Sequence, residues 1–280
     1  MQSVFRGELH TLAHAIRQAI WLTTVGLSSA LLLSGAAQAN EQTTTGSTEP
    51  QLQTVTVKGQ QATPAETAKT QLDQVPGGTS IVDSEQVSKG RTATLQDTLA
   101  YQPGVFVQST GGNDAAKISI RGSGANTSPG YFREGIKFLF NGLPITGPGG
   151  TPYEFLNGSG VNYTEILRGA NAFQYGALSL GGAINFVNQT GYTAPGLRLR
   201  AEAGSYGYNK QSASFGGVEG DFDYYINADN YRSDGFRDYS LSKSQGVVAN
   251  FGYTFSPKLE TQLMLRYRDE YHNDPSATTL

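Results

Sequence analysis

From residue 196 on, the chain alternates apolar and polar side chains in runs of about ten residues, and this pattern restricts the fold more than any other feature. Leu197–Tyr206 sets Leu and Ala against Arg and Glu. Tyr208–Val218, Phe222–Tyr231, Gly246–Phe255 and Leu259–Arg268 alternate in the same way. Glu219-Gly220-Asp221 and Ser256-Pro257-Lys258 read as tight turns, and Ser233–Gln245 as a longer loop. Strict period two gives each strand two chemically different faces. Short turns alternating with longer loops match a transmembrane β-barrel. Tyr206, Tyr231 and Phe255 near strand ends suit its aromatic girdles. A soluble sandwich has similar alternation, so the choice rests on the rest of the chain.

Composition favours a β-rich protein. Gly supplies 35 of 280 residues, Tyr 15 and Phe 13, while charged residues reach only 15%, against about 25% in a typical soluble protein. This argues against a helical bundle, a coiled coil and a charged disordered chain. The net charge of −3 provides no basic field, so no nucleic-acid partner is expected. With zero Cys, disulfides, thiolate metal sites and cysteine nucleophiles are excluded.

Residues 1–39 read as a secretory signal. Arg6 and Arg17 against the single acid Glu8 form a basic start, Ala19–Leu33 is a short apolar run, and Ala37-Gln38-Ala39 is an A-x-A site. Cleavage is expected between Ala39 and Asn40. The apolar run falls short of the roughly 20 strongly apolar residues of a membrane helix. A chain exported this way and still spanning a membrane must do so as a barrel.

Residues 40–71 are polar and expected to lack order. Within them Leu52-Gln53-Thr54-Val55-Thr56-Val57 alternates and is β-branched at its last four positions. It could pair with the edge of another protein's sheet, or be an edge strand of this protein's own next domain. Polar chain on both sides favours docking to a partner.

Residues 72–190 read as a compact α+β domain. Thr79-Ser80-Ile81-Val82 is a short strand, Asp83 or Ser84 caps a helix through Val87, and Thr92 or Thr94 opens a second around Leu95 and Leu99. Pro103-Gly104 turns the chain into Val105-Phe106-Val107, and Ile118–Ile120 is a strand. Asn141-Gly142 between Phe138–Phe140 and Leu143–Ile145 is a type I′ hairpin signal. Ile166–Arg168 and Ala183–Val187 are further strands.

In this order, Pro76-Gly77-Gly78-Thr79-Ser80-Ile81-Val82, Leu95-Gln96-Asp97-Thr98-Leu99, Pro103-Gly104-Val105 and Ile118-Ser119-Ile120-Arg121-Gly122 resemble the plug of TonB-dependent outer-membrane receptors. So do Leu139-Phe140-Asn141-Gly142-Leu143-Pro144, Glu165-Ile166-Leu167-Arg168-Gly169 and Gly181–Val187. The resemblance covers residues 50–195. It implies an α+β plug followed by an antiparallel transmembrane barrel of about 22 strands in the family. It also implies a receptor of the Gram-negative outer membrane, in contact with its lipid, that takes up a scarce ligand. Leu52, Gln53, Thr54, Val55, Thr56 and Val57 then resemble the TonB box, which binds TonB, itself driven by inner-membrane energising proteins. Arg121 and Arg168 match arginines that pair with barrel glutamates and seat the plug.

Outward plug loops would meet the ligand. Tyr131, Phe132, Arg133 and Lys137, with Tyr153 on a second rim, form a cationic and aromatic set suited to an anionic ferric chelate such as a siderophore or ferric citrate. Haem, cobalamin, another metal chelate or an oligosaccharide remain alternative cargoes, and a passive barrel channel the alternative class. The mature chain holds one His, His272, so neither a plug-side haem ligand nor a Ser–His hydrolase is encoded. No enzyme activity, cofactor or protein-held metal is expected. Residues 196–280 suffice for about five strands, so the chain reads as the N-terminal part of a receptor.

Overall fold

The computed structural model describes residues 62–75, 77–111, 115–123, 131–132, 135–147, 150–152, 155–176 and 179–273. The expected signal, cleavage site and TonB box lie outside them, as do Arg133 and Tyr153.

The chain runs through α1 (Pro64–Leu72), β1 (Thr79–Asp83), α2 (Ser84–Ser88), α3 (Leu95–Leu99), β2 (Val105–Gly111) and β3 (Ala115–Ile120). It continues through β4 (Tyr131–Phe132), β5 (Ile136–Phe140), β6 (Leu143–Pro144), β7 (Thr151–Pro152) and β8 (Val161–Arg168). A 3-10 turn (Gly169–Tyr175) leads to β9 (Gly182–Asn188). Five long strands complete it: β10 (Gly196–Ala203), β11 (Asn209–Glu219), β12 (Phe222–Ser233), β13 (Ser242–Ser256) and β14 (Leu259–His272).

Residues 62–71 depart from the expected disorder. Thr63 and Glu66 form a capping box, Pro64 fills a first-turn position that needs no N–H, and Ala65 and Ala68 are buried. The helix hides in a polar stretch because only two small alanines face the core.

The first block is organised by a five-stranded sheet in the order β1-β8-β9-β5-β6. Only β5–β9 is parallel; the other pairs are antiparallel. One face carries Phe138, Phe140, Ile166, Ile184 and Phe186, all buried against Leu95 and Leu99 of α3 and the β2–β3 hairpin. The opposite face is smaller: Leu139, Leu167 and Ala183 pack under Ala172 of the 3-10 turn. Asp83 caps α2 by accepting from the Glu85 N–H, and Thr94, not Thr92, caps α3 with Asp97 completing the box.

β10–β14 form a second, sequentially ordered antiparallel sheet. Its strands match the five alternating runs, with β13 starting at Ser242 inside the stretch expected as loop. The hairpin at Gly220–Asp221 is tight, and 234–241 is the longer connection. The polarity of its faces is reversed relative to a soluble sheet. Asp223, Asn227, Asp229, Ser244 and Asn250 are buried, while Leu197, Leu199, Phe215, Ile226, Leu263 and Leu265 are exposed. The polar face packs on the plug block and the apolar face points away, as the wall of a membrane barrel requires.

Candidate functional site

Arg121 and Arg168 come together. β8 carries Arg168 to its end, where the backbone N–H donates to Gly78 O at 2.9 Å; the Arg121 N–H donates to Gly104 O at 2.9 Å. Both side chains cross Gly78: a Cβ there would lie 2.7 Å from Arg121 Nη2 and 3.3 Å from Arg168 Cδ. The glycine of the Gly77-Gly78 pair is therefore room for two guanidiniums. Arg168 is buried; its Nη2 donates to Ser80 Oγ at 2.5 Å and its Nε has no partner. Burial, and then the neighbouring Arg121 charge, hold its pKa below the ordinary arginine value. Among the described residues no carboxylate pairs with either arginine. Two adjacent cations, one buried with an unmade hydrogen bond, carry a desolvation cost that a carboxylate partner would offset.

The expected ligand residues are partly gathered. β4 pairs with β7, with Tyr131 opposite Pro152 and Phe132 opposite Thr151. That pairing joins β4 to β7, and Arg133 and Tyr153 directly follow the paired residues in sequence. Lys137 leaves β5 half-buried, and its ammonium donates to the Tyr175 carbonyl. The same residue therefore ties the 3-10 turn to the sheet.

The polar face of the wall grips the plug block at several places, and three of them involve charged side chains or the connection between the sheets. Arg266 donates to Asn157 Oδ1 (3.0 Å) and Ser159 O (2.9 Å), and its guanidinium lies 4.3 Å from the Phe140 ring centroid. Asp223 Oδ1 accepts from the Gly191 N–H at 3.0 Å, and Asn250 Nδ2 donates to Gln189 O at 3.1 Å, fixing the connection between the sheets. Arg200, Glu202 and Lys210 hold the Ser88–Thr92 loop. A polar cavity of about 520 Å³ lies beside this third contact, lined by residues of both sheets. Sequence reading missed these wall residues. Their only signal is a place on the polar face of an alternating strand.

A sheet-centred plug block lies against a wall that is polar inside and apolar outside. Residues 71–183 match the TonB-dependent receptor plug domain family. Residues 71–183 are therefore a plug domain of the TonB-dependent receptor family, and antiparallel strands follow it. It is 26% identical to the ferrichrome outer membrane transporter/phage receptor of Escherichia coli over 204 residues, covering 69% of this chain and 26% of that protein. It is 24% identical to the vitamin B12 transporter BtuB of Vibrio vulnificus over 136 residues, covering 48% of this chain and 21% of that protein. In structure it resembles the ferric citrate transporter FecA in its unliganded form, with a TM-score of 0.59 and 19% identity, over 74% of this chain and 33% of that one. It likewise resembles FpvA of Pseudomonas aeruginosa bound to a heterologous ferric pyoverdine, with a TM-score of 0.56 and 20% identity, over 74% and 26%. The matched region thus spans between a fifth and a third of these relatives' lengths.

Proposed function

We propose that this receptor performs TonB-dependent uptake of a ferric chelate, a siderophore or ferric citrate, across the outer membrane. The carrying observation is the plug held on the polar face of an outwardly apolar wall, since a passive pore needs no such plug. Relatives named for ferrichrome, ferric citrate and pyoverdine support an iron chelate, and those named for vitamin B12 supply the competing cargo. Arg133, next in sequence to the aromatic pair Tyr131-Phe132, favours the anionic chelate.

Leu52–Val57 serves as the TonB box, offering backbone hydrogen bonds to TonB by strand addition. Val55→Pro in the full-length receptor removes one of those donors; uptake should stop while ligand binding persists, and unchanged uptake would refute the box. The Arg121–Arg168 pair seats the plug on barrel glutamates. The signal is removed between Ala39 and Asn40, and mass spectrometry of the mature protein should find Asn40 first.

The decisive experiment is a binding titration with ferric citrate and a panel of ferric siderophores. Because Lys137 already serves the Tyr175 carbonyl, Arg133→Ala should weaken chelate binding more than Lys137→Ala. Equal affinity of Arg133→Ala and wild type for every chelate would exclude this mouth.

A further inference from the structure

The Ser88–Thr92 loop leaves α2 with carbonyls that its short helix cannot satisfy, and the wall supplies their donors. Arg200 on β10 donates to Ser88 O and, at 2.8 Å, to Gly90 O. Lys210, diagonal to Arg200 across the β10–β11 ladder, donates to Thr92 O and, at 3.2 Å, to Thr92 Oγ1. Glu202, directly opposite Lys210 in register, receives Thr92 Oγ1 at 2.7 Å and the Thr92 N–H at 3.4 Å. Its carboxylate is held in place by Arg200 Nε and Tyr208 Oη, both at 2.6 Å. The Glu202 side chain is 12% exposed against 37% for Arg200, so the bonds at the Glu202 carboxylate are the ones sheltered from water and strengthened. The network combines both signs of charge with three consecutive alternate carbonyls of one plug loop.

We propose that Arg200, Glu202 and Lys210 form a latch that seats the Ser88–Thr92 loop on β10 and β11, separate from the Arg121–Arg168 pair, and narrows the adjoining gap between plug and wall. Ser88, Thr92, Arg200 and Lys210 all border the cavity of about 520 Å³ in that gap. The cavity is already partly open to solvent, and freeing the loop widens that opening. The inference rests on the reading of the chain as a plug-filled uptake barrel, and it concerns residues that neither the docking strand nor the ligand mouth uses. They are positioning residues: they act through the plug loop and touch no ligand.

The test uses the full-length receptor in outer membranes. Amide hydrogen exchange of the 88–94 peptide is compared between wild type, Glu202→Ala and Lys210→Met, alongside sensitivity of the cells to vancomycin, a large hydrophilic probe. Each variant should exchange at least tenfold faster at 88–94 and admit enough drug to lower its inhibitory concentration at least fourfold. Arg266→Ala, which breaks a different wall contact, should leave 88–94 exchange at the wild-type rate. If Glu202→Ala does not reach the membrane folded, Lys210→Met carries the same expectation with its apolar stem retained. Unchanged exchange in a folded latch variant overturns the proposal, and so does faster exchange without increased drug entry. Neither readout needs ligand or TonB, so failure of the latch is distinguishable from failure of the uptake reading.

Discussion

Gly252 allows a charge to be buried in the wall. A methyl group there would lie 1.9 Å from Asp223 Oδ2. Asp223 is buried and accepts the Gly191 N–H, so it fixes the connection from plug to wall. Gly252→Ala should push the carboxylate off this position and cost about 1–3 kcal/mol, read as a lower urea midpoint of the full-length receptor in detergent. Arg266→Ala should cost a similar amount, about 1–3 kcal/mol, through two lost hydrogen bonds and the Phe140 contact. The alternation placed Asp223 and Arg266 on the polar face of their strands. It could not show which plug atoms they meet, because those partners lie in distant segments joined only by folding. Arg121 and Arg168 drew notice because they sit inside short local motifs, and Gly78 and Gly104 give their side chains room.

At the scale of elements, local chemistry was readable wherever a turn or cap settles the backbone by itself. Asn141 and Gly142 adopt φ of 47° and 77°, the paired positive values of a type I′ turn, between β5 and β6. Gly142→Val should destabilise the plug by about 1–2 kcal/mol, seen as faster proteolysis of the full-length receptor near residue 142. Thr94→Ala removes the cap of α3 and should cost about 1 kcal/mol on the same assay. α1 was missed since its apolar face is two alanines, too slight a signal against a polar background. β4 and β7 are two residues each and exist through their mutual pairing, which no local pattern announces.

For the molecule as a whole, the reversed polarity of the second sheet decides where it can live. Leu199 is 70% exposed while Asn250 is 1% exposed, the polarity that a barrel wall facing lipid has. Leu265→Arg, on the outward face of β14, should destabilise insertion by about 2–4 kcal/mol if it sits at mid-bilayer depth. Folding of the full-length receptor into lipid vesicles, followed by its heat-modifiable gel shift, measures this. The plug's sheet order has a mechanical meaning as well. β1 pairs with β8 alone, from Thr79 opposite Leu167 to Asp83 opposite Tyr163, whereas β8 and β9 each have neighbours on both sides. A load applied to the chain ahead of Thr79 therefore falls on one pair of the β1–β8 ladder at a time and peels it from its Leu167 end. Removing β1 takes Val82 out of the core it shares with Phe138, Phe140, Ile184 and Phe186, while the ladders among the four remaining strands involve no residue of β1.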